Sequence, residues 1–362
     1  MKRVSKVLMV LFLAMAVFLT GCSGDSGQEG AQDVKAGFIY VGPTGDGGWS
    51  YAHEMARQYV VEQLGIETLY KESVEEGPDV ENVMKDMIDQ GANIIFATSF
   101  GYMDYMEKMS LEYPEVKFMH CSGYKMTENM GNYFGRIYEP RYLSGMVAGL
   151  KTESNVIGYV AAFDIPEVVR GINAFALGVQ AVNPDAVVKV RWTNTWYDPA
   201  REYEAARALL DEGADVIAQH QDTAGPQQAA QERGVWSIGY HSDMSEAAPD
   251  AYMTAPVWNF GPYYVEQIQK VIDGTWAPES YWGSMEDGIV ALAPLTENAP
   301  EGAQAVIDEA QAKIKSGELK VFAGPIKDQE GNVRVAEGEL MTDDELLSFD
   351  WFVQGVEGKI NK

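Results

Sequence analysis

Gln90-Gly91-Ala92-Asn93-Ile94-Ile95-Phe96 and Glu212-Gly213-Ala214-Asp215-Val216-Ile217-Ala218 are two versions of one phrase. In each, a glycine stops an amphipathic helical stretch and an apolar run begins almost at once. A short run of Ile, Val and Phe without polar alternation fits a strand covered on both faces, as in parallel sheets. The phrase occurring twice makes the chain look like two copies of one α/β unit.

Working outward from the first copy, strand-forming runs at Ala36–Val41, Ile66–Lys71, Asn93–Thr98 and Val116–Cys121 alternate with helical patterns. Those helices are expected near Ser50–Leu64, Val80–Asp89 and Met103–Tyr113. Around the second copy the runs are Val156–Val160, Val187–Thr193, Ala214–Ala218 and Trp236–Tyr240. Helices are expected near Pro166–Val182, Pro199–Glu212 and Gly225–Gly234. Alternation of this kind predicts a doubly wound parallel sheet in each lobe. Tyr138–Thr152 and Trp258–Gly274 also read as helical. The division expected is lobe 1 over 34–137, lobe 2 with hinge crossings over 138–257, and a return to lobe 1 over 258–362. The amphipathic stretches Glu301–Ser316 and Asp343–Phe352 carry that return.

The beginning of the chain reads as an address. Lys2, Arg3 and Lys6 precede an apolar stretch from about Val7 to Leu19, too short to span a bilayer. Leu19-Thr20-Gly21-Cys22 follows and resembles the bacterial lipobox, so residues 1–21 are expected to be removed and Cys22 to be lipidated. After Cys22, the rest of 22–33 is Gly, Ser, Asp, Gln and Glu with one Ala, with little to bury, which suits a flexible tether. The expected product is exported and held at the membrane by acyl chains. The formal net charge is −27. Nucleic acid and anionic lipid surfaces are poor partners for such a chain. Cys121, the second of two cysteines, closes the run Val116–Cys121 and reads as a buried thiol. A metal site with His120 is disfavoured, because adjacent strand residues point to opposite faces. No cofactor is implied.

Ligands of such sheets bind at the carboxyl ends of strands, in the strand-to-helix loops. Those loops carry the aromatics: Trp49 and Tyr51 after the first strand, Phe100 and Tyr102 after the third, Trp196 and Tyr197 in the second lobe. Trp49 and Trp196 occupy matched places, one in each lobe, and together favour a planar ligand held between them. Asp46, Ser50, Asp222 and His241 are candidates to read its polar edge. Asp46 and Asp222 have a second reading as helix caps.

These residues resemble the basic membrane protein family of ABC-importer lipoproteins, the purine nucleoside receptor-like branch of the type I periplasmic binding proteins. The resemblance covers nearly the whole mature chain. It rests on Asp46, Trp49 and Ser50 in the first loop, on Phe100, Tyr102 and Asp104 in the third-strand loop, and on Trp196-Tyr197-Asp198-Pro199. Gly213-Ala214-Asp215-Val216-Ile217 and Ala247-Ala248-Pro249-Asp250 also fit. It implies two lobes with several hinge strands, a small-molecule ligand and permease partners. Nucleoside-binding members usually have Gly-Val-Asp where this chain has Gly239-Tyr240-His241, and Val-Lys where it has Val257-Trp258. In the family those residues are associated with the sugar. Their replacement implies a free purine base such as adenine, with the nucleoside as the alternative.

Two enzyme motifs come close to matching in the same residues. Gly48-Trp49-Ser50-Tyr51-Ala52 approaches a nucleophile elbow, with Asp222 and His241 later in the chain, but lacks the final glycine. Gly45-x-Gly47 is not completed by Gly or Ala at position 50, so a dinucleotide loop is weaker still. No enzyme is expected. A receptor feeding a membrane sensor instead of an importer shares the same fold.

Overall fold

The computed structural model describes residues 34–360. The expected leader, Cys22 and the tether lie outside the described residues. Lobe 1 begins with β1 (Ala36–Ile39), α1 (Trp49–Leu64), β2 (Thr68–Lys71), α2 (Asp79–Asp89), β3 (Ile94–Ala97), α3 (Met103–Glu112), β4 (Lys117–Cys121) and β5 (Met130–Gly135). The chain then crosses into α4 (Tyr138–Lys151), β6 (Val156–Ala161), α5 (Pro166–Val182), β7 (Val187–Trp192), α6 (Pro199–Asp211), β8 (Val216–His220), α7 (Gly225–Glu232), β9 (Trp236–Ile238) and β10 (Tyr252–Thr254). It continues through β11 (Pro256–Trp258), α8 (Gly261–Ile272), β12 (Ser280–Gly283), β13 (Val290–Leu292) and α9 (Ala303–Lys315). Short strands β14 (Ile326–Lys327) and β15 (Val333–Val335), helix α10 (Asp343–Leu347) and β16 (Val356–Glu357) follow. Among the described residues no helix is long and apolar enough to cross a membrane.

The repeated phrase is repeated in hydrogen bonds. Gly91 and Gly213 sit at φ +93° and +95°, the left-handed region that glycine enters without a Cβ penalty. Gly91 N–H donates to Ile88 O at 2.8 Å and Ala92 N–H to Met87 O at 2.9 Å. Gly213 N–H donates to Leu210 O at 3.0 Å and Ala214 N–H to Leu209 O at 3.1 Å. Both pairs are the double bond that closes a helix end. Both chains then enter a sheet, Asn93 N–H bonding Lys35 O and Asp215 N–H bonding Val156 O.

The two sheets share one strand order. The first runs β12-β5-β4-β3-β1-β2 and the second β10-β9-β8-β6-β7-β16, with every pairing parallel. In each, the first strand of the lobe lies between the second and third. The order of winding therefore reverses at β1/β3 and at β6/β8, and the carboxyl ends there form a crevice. β1 and β3 are wholly buried, with Phe38 stacked on Phe96 at 5.0 Å.

Three crossings join the lobes: β5 into α4, β10 through β11 into α8, and β12 through β13 into α9. The second and third pair with each other as an antiparallel ribbon, Pro256 opposite Leu292 and Trp258 opposite Val290. The segment expected to return to lobe 1 divides instead. Helix α8 packs on α1, and β12 pairs with β5, both in lobe 1. Helix α9 packs on α4, α10 on α5, and β16 pairs with β7, all in lobe 2. The reason lies on α5. Asn173 accepts from Val353 N–H at 3.0 Å and donates to Trp351 O at 2.8 Å, while Arg170 donates to Leu346 O at 2.7 Å. The helical pattern expected from Trp258 begins only at Gly261, since Trp258 belongs to the hinge ribbon.

Candidate functional site

A small cavity of about 30 Å³, room for about two waters, lies between the lobes. Val41, Trp49, Thr98, Ser99, Phe100 and Ser122 wall it from lobe 1, and Glu167, Trp196, His220, Asp222 and His241 from lobe 2. Val41, Thr98 and Ser99 follow β1 and β3, and Asp222 follows β8, so the cavity sits at both switch points.

Trp49 is the first residue of α1, and its ring is fixed from behind. Its Nε1–H donates to Thr98 O at 2.6 Å. Trp258, Phe260 and His53 meet it at angles of 77°, 89° and 87°. Trp196 is less enclosed and has Phe163 edge-on at 5.0 Å. Phe100 is the third ring on the wall. One indole from each lobe thus lines the same cavity.

Asp222 and His241 form the polar side. Trp258 Nε1–H donates to His241 Nδ1 at 3.0 Å, which leaves the imidazole proton on Nε2 to bond Asp222 Oδ1 at 3.1 Å. Burial holds the His241 pKa well below the usual range, and the charges of Arg141 and the neighbouring histidines His220 and His53 act the same way. A neutral ring with a fixed tautomer results. Asp222 is buried, and its Oδ2 has no hydrogen-bond partner among the described residues. Burial, with Asp46, Glu202 and Glu167 nearby, pushes its pKa well up. An orphaned carboxyl oxygen on a cavity wall is costly unless a ligand group meets it.

Glu167 and His220 complete the wall and were not singled out in the sequence. Glu167 opens α5 and approaches His220 Nε2 at 3.4 Å. Burial raises the Glu167 carboxyl to about 7, against the pull of Arg170 and Arg141. The signal available was position: Ala162-Phe163-Asp164-Ile165-Pro166-Glu167 is the strand-to-helix loop after β6, equivalent to the loop that carries Trp49.

Four expected site residues stand elsewhere. Both Asp46 oxygens are used by backbone: Oδ1 accepts from Gly48 and Tyr51 N–H, and Oδ2 from Ser50 N–H, all within 2.9 Å. Asp46 therefore caps α1. Burial raises its pKa to about 6, opposed by those same N–H groups. Ser50 Oγ is fully buried and accepts from Gly42 N–H at 3.0 Å. Tyr102 is fully buried in the lobe 1 core and its OH bonds Val74 O. Trp258 is not on the cavity wall: it stands behind Trp49, stacked on Phe260 at 5.0 Å, and orients His241. Asp104 is exposed and paired with Lys125 at 2.9 Å.

The lobes touch beside the cavity. A Cβ on Gly48 would lie 2.2 Å from the backbone oxygen of Asp222, so only glycine permits this approach. Ser242 Oγ also donates to Gly47 O across the cleft.

The comparisons agree with this architecture. The sequence profile of the Bmp family, described as ABC transporter substrate-binding protein PnrA-like, matches residues 33–323. The purine-binding protein of Brucella abortus (strain 2308) is 45% identical over 331 residues, 91% of this chain and 94% of that protein. A putative ABC transporter glucose-binding protein of Haloferax volcanii is 45% identical over 284 residues, 78% of this chain and 72% of that protein. Among solved structures, an ABC transporter solute-binding protein from Aeropyrum pernix K1 superposes with a TM-score of 0.69 at 21% identity, over 81% of this chain and 94% of that one, a likeness of fold. With two lobes of one winding order and a cavity at both switch points, the chain belongs to the Bmp family of PnrA-like ABC transporter substrate-binding proteins.

Proposed function

We propose that this substrate-binding protein captures a purine base, adenine or a close relative, between its lobes and delivers it to the permease of an ABC importer, anchored outside the cell membrane by acyl chains on Cys22. The observation that carries the ligand reading is that Trp49 of one lobe and Trp196 of the other line one cavity, with the unpartnered Asp222 Oδ2 on the same wall. Stacking on an aromatic is worth roughly 1–3 kcal/mol per base. A carboxyl group, accepting when ionised and able to donate when protonated, suits the N–H groups and ring nitrogens on the edge of a purine. The purine-binding relative from Brucella abortus supports the same class.

His241 stands where nucleoside-binding members usually carry an acid, and its ring is held by Trp258 and Asp222. That arrangement disfavours a ribose at this wall and is the reason a base is preferred to a nucleoside. Closure follows from geometry. A base stacked on Trp49 alone leaves its other face in water. Meeting Trp196 adds contacts only when the lobes are together, so the ligand favours the closed form.

Calorimetry with adenine, guanine, hypoxanthine, adenosine and glucose tests the proposal, glucose being the ligand in the name of the Haloferax relative. The expected result is tight binding of a free base and weaker binding of its nucleoside. Binding of glucose with no purine bound at all would overturn it.

A further inference from the structure

Beside the base cavity lies a larger chamber of about 500 Å³, and the two share Phe100, Ser122 and Glu167. Its remaining walls are largely apolar: Phe134, Tyr281 and Trp282 from lobe 1, Ile165 and Leu347 from lobe 2. Tyr124 and Leu347, 66% and 50% exposed, mark its outer end. The polar side chains along it are mostly spent on the protein. Ser280 Oγ donates to Asn132 Oδ1 at 2.8 Å, and Arg170 donates to Leu346 O while lying 4.9 Å from the Trp282 ring. A ribose placed there would strip water from its hydroxyls and find few partners, which is unfavourable. An alkyl or aryl group would replace water against aromatic walls, which is favourable.

We infer that the protein accepts purine bases that carry an apolar substituent on an exocyclic nitrogen, with the ring between Trp49 and Trp196 and the substituent passing Glu167 into this chamber. This rests on the purine reading above. The three wall residues shared by the two cavities and the committed polar groups carry it.

The experiment is calorimetry of adenine, adenosine, glucose and N6-benzyladenine with the wild type and with Ile165→Trp and Leu347→Trp, which fill the chamber without touching the base cavity. On the wild type, N6-benzyladenine should bind at least about tenfold tighter than adenine, about 1.4 kcal/mol. Each Trp variant should erase that advantage and leave adenine affinity unchanged, which also shows that the variant is folded. Benzyladenine binding no tighter than adenine, or an advantage that survives both variants, overturns the chamber while leaving the purine reading intact. Failure of adenine and benzyladenine alike, with glucose bound, overturns both.

Discussion

Trp49 stacks and also supports, and substitutions separate the two roles. Its ring is bonded to Thr98 and braced by Trp258 and Phe260, so Trp49→Ala removes core packing along with a binding face. We expect it to cost about 3–5 kcal/mol in urea unfolding. Trp196→Ala, at a partly exposed loop, should cost far less stability. Both should weaken base binding by roughly one to two decades, 1–3 kcal/mol. Unchanged affinity in Trp196→Ala would end the sandwich reading. Glu167 gives a pH test. Burial raises its folded carboxyl to about 7 from the ordinary 4.5, so the folded ligand-free protein binds that proton more tightly than the unfolded chain. The resulting stabilisation is present below about 4.5 and lost as pH rises to about 7. Glu167→Gln should therefore gain on the wild type, on the order of 2 kcal/mol, between pH 5 and pH 8 in urea midpoints. An offset between variant and wild type that does not change with pH would refute it. Of the site, the aromatic pair was legible because large rings at helix starts beside glycines have no helix face of their own to fill. Asp46 and Ser50 were legible only as polar residues near Trp49. Whether a carboxylate caps a helix or faces a ligand depends on a few ångströms of loop path, and loop path does not show in residue type.

At the scale of elements, the helix ends of the repeated phrase can be tested without touching the ligand. A Cβ at Gly213 meets nothing within 4 Å, so Gly213→Ala is strained only by its φ of +95°. The expected cost is about 1–2 kcal/mol of stability with no change in ligand affinity. A loss of affinity comparable to that of the tryptophan variants would mean the helix end is coupled to the site. Most of the strands and helices of both lobes were legible for the same reason as this phrase: each is a local run with its own stop signal. β5 was not. Met130-Gly131-Asn132-Tyr133-Phe134-Gly135 has two glycines and no β-branched residue. It is a strand because β12 and the hinge ribbon press on it: a Cβ at Gly131 would meet the Glu279 backbone at 2.9 Å, and one at Gly135 would meet Val290 at 2.4 Å. Those partners come from the far side of the second lobe. The same cause hid the destination of α9, α10 and β16. Amphipathic helices announce that they pack, and the surface they choose is set by distant groups such as Asn173 and Arg170.

For the molecule as a whole, closure and attachment make separate predictions. Gly48→Ala places a methyl group against the backbone of Asp222 across the cleft, where neither side can yield as a flexible side chain would. Each lobe should fold as before, while ligand affinity falls about tenfold or more and small-angle scattering no longer shows compaction on adding adenine. Wild-type affinity in this variant would mean that the lobes bind without meeting at Gly48. Cys22→Ala should leave a folded protein that no longer takes up a fatty-acid analogue in metabolic labelling. Equal label on both forms would rule out acylation at Cys22. The hinge ribbon adds a mechanical consequence. Two of the three crossings are bonded to each other from Pro256 to Trp258 and from Val290 to Leu292. Sliding one past the other would break those bonds, whereas flexing the ribbon across its face breaks none. Bending is therefore a cheaper motion between the lobes than shear, and a docking partner that distinguishes bound from free protein would read chiefly an angle.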